Sequence, residues 1–370
     1  MMSQFDDDQG GASAEEQESQ EDLLDLNEVM RAFGVTEWQN MGPLEPARVD
    51  SLSLLVAVEG QRYVLRERPE PMLGEDLSHR YHFQRYLQQA GIPIPSLRLT
   101  TEGEPAVIIG EDSFELQQLA AGDGFSSADS RSLDWTGYAG TMLARIHQAS
   151  RRYTGHEHHW PSEAHMGGVV QGYLNLARGK ADQTPTGAVA AALANWVEQY
   201  EAVLPAAMMS IGSVRGLPEF HIHGDYHALN LRFNDSGVSA VTGLEASHWE
   251  KRIFEVAYGL FYFSALDWSP GSLLTHPLVK RGFDPERAQR FLQAYGEVYA
   301  PAPGEAAVLA DALLLISPIA TTNGPLEDVF YTPEKPDAAL IDDVLECLSW
   351  ASSLPAWLGR VRRSLAEMWG

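Results

Sequence analysis

From Leu52 the chain alternates apolar and polar positions, SLSLLVAV and then RYVLRE, on either side of Glu59-Gly60-Gln61. A period of two interrupted by a glycine turn predicts a β-hairpin over Leu52 to Glu67, and a short helix is expected before it, near Leu23 to Phe33. Apolar residues between Glu75 and Ala90 recur at helical spacing until Gly91, after which Pro93 and Pro95 hold IPIPSLRL extended. Strands near Leu97 to Thr100 and Ala106 to Ile109 flank the turn Glu102-Gly103-Glu104. The next segment, FELQQLAAG at Phe114 to Gly122, is expected to leave the sheet as a hinge.

Beyond the hinge the apolar period lengthens to that of a helix. It does so around Trp135 to Ser150, then in Ala188 to Met208, Ile253 to Leu266, Asp284 to Tyr299, Glu305 to Ile316 and Ala338 to Met368. Only Leu229 to Phe233 and Val238 to Leu244 read as strands in this half, and no repeat of solenoid length is present. The pattern predicts an α+β chain: a small β-sheet lobe with one helix at residues 29–117, then a larger, mainly helical lobe at 118–370.

Charge changes the picture at one end. Residues 1–28 carry Asp6, Asp7, Asp8 and seven further carboxylates with no basic residue among them, which predicts a solvated acidic tail. Over the whole chain 51 acidic side chains oppose 26 basic ones, a formal charge of −25 that repels phosphate backbones and anionic membrane surfaces. Nucleic acid and membrane are therefore not expected as partners. The start lacks a basic, apolar leader, no run of about 18 apolar residues follows, and the single Cys347 sits in a helical pattern. A cytoplasmic protein is expected.

The candidate chemistry lies in HIHGDYHALNL, His221 to Leu231, where Asp225 and Asn230 stand five residues apart in a loop entering a strand. Phosphoryl transfer to a hydroxyl needs a carboxylate to orient the acceptor and take its proton, and a neutral oxygen for a metal ion. His223-Gly224-Asp225 followed by Asn230 resembles the His-Gly-Asp-x-x-x-x-Asn signature of the aminoglycoside phosphotransferase and choline kinase family. LARIHQAS at Leu143 to Ser150, FEVAYGL at Phe254 to Leu260 and the AGIPIP run are similar to flanking segments of that family. The resemblance covers roughly Leu52 to Leu266 and implies a protein-kinase-like two-lobed fold. It also implies ATP and Mg²⁺ as cofactors and a small molecule with a hydroxyl as acceptor. Asp225 would be the catalytic base, Asn230 a metal ligand and Arg66 of YVLRER the residue on the nucleotide phosphates, where family members carry a lysine.

Two departures bear on that reading. The second metal-binding aspartate of the family falls, without a gap, on Gly243; a shifted register would put Glu245 at the metal instead. The helix glutamate that pairs with the strand lysine falls near Arg80, leaving Glu67, Glu75 or Asp76 as candidate partners for Arg66. Glu255 is expected to anchor the loop through its backbone, and His227 either meets substrate or packs the loop. The aromatic run Tyr258, Phe261, Tyr262, Phe263 and Trp268 reads as core, and His156, His158 and His159 as a solvated loop. Asp267, Glu327, Asp328, Asp342 and Asp343 read mainly as a solvated face, with a pocket for a cationic acceptor as the other reading. Two functions stay open: an ATP-dependent kinase of a small-molecule hydroxyl, and a pseudokinase that binds nucleotide or ligand without transfer.

Overall fold

The computed structural model describes residues 26–44, 52–68, 75–110, 112–155, 166–183, 187–267, 278–279, 283–321 and 338–370. Most of the acidic amino-terminal stretch, His156, His158, His159, Trp268, Glu327 and Asp328 lie outside them, and the expectations made for these residues go with them. No helix among the described residues is long and apolar enough to cross a membrane.

Helix α1 (26–32) precedes strands β1 (Gln39–Pro43), β2 (Ser53–Val58) and β3 (Gln61–Arg68). Val58 pairs with Gln61 across the β2–β3 turn, leaving Glu59 at φ +52° and Gly60 at φ +78°. Two left-handed residues in a two-residue loop are what the twist of a hairpin demands, and Gly60 supplies one at no steric cost. Helix α2 (Glu75–Gln89) follows, then β4 (Leu97–Arg98), β5 (Val107–Ile109) and β6 (Asp112–Gln118).

The sheet is antiparallel in the order β1-β2-β3-β6-β4, with β5 also on β6. FELQQ therefore does not leave the sheet as expected: β6 is an interior strand, paired with β3 along its length. The expected hairpin of β4 with β5 is likewise replaced by separate pairing of each with β6. Proline-rich approach and short strand length left β4 only two residues to pair, and the longer β6 took both partners. One face of the sheet packs Leu54, Val56, Leu65 and Leu116 against Val29 and Met30 of α1.

Contacts divide the chain into two compact units, residues 1–74 with 96–119 and residues 75–95 with 120–370. The second unit thus holds α2, which the sequence pattern had grouped with the strands. The boundary at 119–120 falls inside the segment read as a hinge.

The second unit continues with α3 (Ser132–Ser150), α4 (Met166–Gln183), α5 (Gly187–Glu201) and α6 (Leu204–Ser213). Two short ribbons come next: β7 (Glu219–Ile222) pairs with β10 (His248–Lys251), and β8 (Leu231–Asn234) with β9 (Gly237–Val241). Then follow α7 (Arg252–Ser264), β11 (Leu266–Asp267), β12 (Leu278–Val279), α8 (Pro285–Val298), α9 (Leu309–Thr321) and α10 (Ala338–Trp369). All of α7 except Tyr258 is buried, so this helix is enclosed around its whole circumference and serves as the axis of the core, with Arg252 and Glu255 as its buried charges. Asp284 caps α8 by accepting from the backbone amides of Glu286 and Arg287, with Pro285 as the first helical residue.

Candidate active site

The loop that follows β7 owes its shape to one glycine. Gly224 sits at φ +86°, and a β-carbon there would collide with the carbonyl oxygen of Ala246. His223 fixes the loop on its other side: Nε2 donates to the carbonyl of Thr242 at 2.8 Å, and Nδ1 accepts from the amide of Asp225 at 3.2 Å. A carbonyl can only accept, so His223 carries its proton on Nε2.

Glu255, one turn into α7, accepts the amides of His223 at 3.0 Å and Gly224 at 2.5 Å. The anchoring expected of Glu255 is thus the observed geometry. Behind it, His147 of α3 bridges Glu255 Oε2 and the Tyr295 hydroxyl of α8, each at 2.7 Å. Burial holds His147 neutral by lowering its pKa, against the raising effect of Glu255. Burial would raise the Glu255 carboxyl, but the hydrogen bond donated by His147, with His223 and the Gly224 amide nearby, holds it below the usual range. A neutral imidazole donating to a carboxylate and accepting from Tyr295 satisfies every polar atom of this buried chain.

Asp225 stands at the loop tip, held on both oxygens. The Tyr258 hydroxyl donates to Oδ1 at 2.9 Å; Asn230 Nδ2 reaches Oδ2 at 2.9 Å, and His227 Nε2 reaches it at 3.2 Å. Burial pushes the Asp225 carboxyl up, yet the imidazoles of His227 and His223 and the Tyr258 hydroxyl outweigh it and keep the group ionised far below neutrality. His227 accepts the Leu229 amide on Nδ1 and stacks on Tyr262 with ring centroids 5.3 Å apart, so it packs the loop while touching Asp225.

Asn230 ends a single 3₁₀ turn, Ala228–Asn230. Its Nδ2 also donates to the main-chain carbonyl of Asp225 at 2.8 Å, so the amide nitrogen faces acceptors on two sides and its oxygen is turned away from Asp225. Gly243 lies directly against that amide at φ +80°, where a β-carbon would overlap Asn230. Glu245 follows in a second 3₁₀ turn, Leu244–Ala246, half-buried. Among the described residues no group of three or more His, Cys, Asp or Glu side chains is placed to hold a metal ion.

In the first unit, Arg66 of β3 lies opposite Glu115 of β6. Glu115 binds Arg68 at 2.6 Å, two residues along the strand, so a strand glutamate serves as the counter-charge of Arg68. Glu67, one of the partners considered for Arg66, instead accepts the Leu52 amide at 3.2 Å.

The sequence therefore brings Asp225, Asn230 and Glu255 together as spaced, with Arg66 in the other unit. It had assigned Tyr258 to the core; its position three residues after Glu255, on the same helix face, is the signal that sends both to the loop. His147 and Glu115 had a weaker signal, each a polar residue beside buried apolar neighbours, Ile146 for the first and Phe114 and Leu116 for the second.

The sequence matches the phosphotransferase enzyme family over residues 46–309. Search of curated proteins finds no match. Among solved structures, the chain is similar to an amicoumacin kinase in complex with AMP-PNP, Ca²⁺ and Ami, at 15% identity and a TM-score of 0.61, covering 96% of each chain. It is similar to a microcompartment-associated aminopropanol kinase at 11% identity and a TM-score of 0.60, covering 93% of this chain and 98% of that one. A spectinomycin phosphotransferase in complex with ADP and spectinomycin matches at 12% identity and a TM-score of 0.56, with 90% and 98% covered. At these identities the likeness is one of fold, the kinase-like arrangement of an antiparallel sheet followed by a larger helical part. With the family matched across more than two thirds of its length, the chain belongs to the phosphotransferase enzyme family.

Proposed function

We propose that this protein transfers the terminal phosphoryl group of ATP to a hydroxyl of a small, amine-bearing molecule. The observation that carries the reading is the Asp225 carboxylate, ionised and aimed by Tyr258, His227 and Asn230 on a loop pinned by Glu255. In the proposed step the acceptor hydroxyl oxygen attacks the terminal phosphorus, the bond to the ADP oxygen breaks, and the hydroxyl proton passes to Asp225. A carboxylate so well satisfied is a weak base, so its main contribution is orientation, with proton transfer late in the step. Arg66 is assigned to the nucleotide phosphates, where a guanidinium offers a two-pronged hydrogen-bonding fork.

Two findings support an amine on the acceptor. The net charge of −25 attracts cations, and an amicoumacin kinase, an aminopropanol kinase and a spectinomycin kinase are among the neighbours in fold. Mg²⁺ finds a poor set of donors: it is held by one or two carboxylates plus phosphates, and here Gly243 takes the carboxylate's place beside Asn230. No step is assigned to the ion.

The test is transfer of labelled phosphate from ATP to a panel of amino alcohols and amino sugars. Asp225→Asn is expected to lower kcat by about 100-fold or more. Transfer to no acceptor, together with retained ATP binding, would favour the second reading, a nucleotide-binding protein without transfer, for which Gly243 is the specific observation.

A further inference from the structure

The 242–246 segment meets the Asp225–Asn230 loop in a way the family signature does not anticipate. Gly243 has no side chain, and the Asn230 amide lies in the volume that one would occupy. Strand-like hydrogen bonds hold the two segments in that register: the Thr242 amide donates to the Asn230 carbonyl at 2.9 Å, and His223 binds the Thr242 carbonyl. On the far side of the amide, Nδ2 is committed to Asp225 at both its main-chain and side-chain oxygens. Asp225 itself already accepts from Tyr258, His227 and Asn230.

What is left facing a divalent ion is one neutral amide oxygen of Asn230, with Glu245 the one carboxylate of the neighbouring turn. A neutral oxygen alone competes poorly with water for a doubly charged ion, because the ion's hydration is replaced without charge compensation. The second carboxylate is not merely substituted; the Asn230 amide, held by its bonds to Asp225, stands in its place. We propose that this protein binds its nucleotide without a protein-held divalent cation, Asn230 having become the brace of Asp225. This inference rests on reading the loop as a phosphoryl-transfer site.

The experiment uses the full chain, AMP-PNP as nucleotide and Mn²⁺ as metal, read by calorimetry and by electron paramagnetic resonance of bound Mn²⁺. AMP-PNP is expected to bind in EDTA within about threefold of its affinity with Mn²⁺, and Asn230→Ala and Glu245→Gln to leave Mn²⁺ affinity in the ternary mixture within about twofold, whereas loss of a true ligand weakens it roughly tenfold or more. Gly243→Asp is expected to lower the melting temperature without creating a Mn²⁺ site, and its penalty to shrink when combined with Asn230→Ala, because the overlap is then relieved. AMP-PNP binding only with Mn²⁺, with metal affinity lost in Glu245→Gln or Asn230→Ala, overturns the inference and leaves the phosphotransferase reading standing. So does a tenfold gain in Mn²⁺ affinity from Gly243→Asp alone. Binding of AMP-PNP under neither condition removes both the inference and the reading beneath it.

Discussion

The single hydroxyl of Tyr258 illustrates how little separates packing from chemistry in this loop. Its ring lies against Tyr262 with centroids 4.5 Å apart, while its oxygen meets Asp225. Tyr258→Phe keeps the ring and removes one donor, so stability should change by only about 1 kcal/mol. Under the proposed function kcat should fall roughly tenfold with KM for ATP unmoved, as expected when a group acts on the transition state and not on nucleotide binding. Gly224 is a starker case. Its positive φ and the Ala246 carbonyl leave no room for a methyl group, so Gly224→Ala should cost about 3 kcal/mol by urea denaturation. The five-residue spacing of Asp225 and Asn230 was legible because both sit in one short loop. The bonds of Tyr258 to Asp225 and of Arg68 to Glu115 were not, because they join residues 33 and 47 positions apart.

At the scale of elements, α3, α7 and α8 are tied to one another through Tyr295, His147 and Glu255. Both titrating groups are held below their ordinary values, so in each the unfolded chain binds the proton first. The sign follows: their stabilisation is complete above the unfolded histidine value of about 6.5, declines as pH falls from there, and declines further below the unfolded glutamate value of about 4.3. Thermal melts from pH 7.5 to 4 should show that fall, and His147→Gln should flatten its upper part; an unchanged slope in the variant would remove His147 from the account. The start of α7 is secured separately by Arg252, whose guanidinium grips Glu305 at 2.6 and 2.9 Å, with both side chains fully buried. Glu305→Gln leaves that charge without its counter-ion and should cost about 3 kcal/mol by chemical denaturation.

Element periodicity was readable where it was long. The helices expected at Ile253 to Leu266, Asp284 to Tyr299 and Ala338 to Met368 correspond to α7, α8 and α10. Helix α4 escaped notice because MGGVVQGYLNLARG carries four glycines, and only packing of Val170, Leu174 and Ala177 into the core outweighs their cost. The β7–β10 ribbon escaped because each strand is four residues long and its partner lies beyond another hairpin.

For the molecule as a whole, the −25 charge is the property most open to a direct test. If the acceptor is a cation, long-range attraction raises its association rate, and salt shortens that attraction from about 30 Å at 0.01 M to about 8 Å near physiological strength. Association of a cationic acceptor should therefore slow severalfold between those conditions in stopped-flow measurements, while a neutral amino-sugar analogue should be nearly indifferent. What the chain determined by itself was everything written in short-range order: the hairpin turn at Glu59-Gly60, the periods of the long helices, the charge, and the carboxylate and amide of one loop. Only the tertiary structure decided that FELQQ is an interior strand, that α2 belongs with the helical unit, that Glu115 answers Arg68 of β3, and that Asn230 fills the place beside Gly243. Those outcomes depend on which distant surfaces win a partner and on whether space remains for a side chain, and neither quantity is carried by the spacing of residues along the chain.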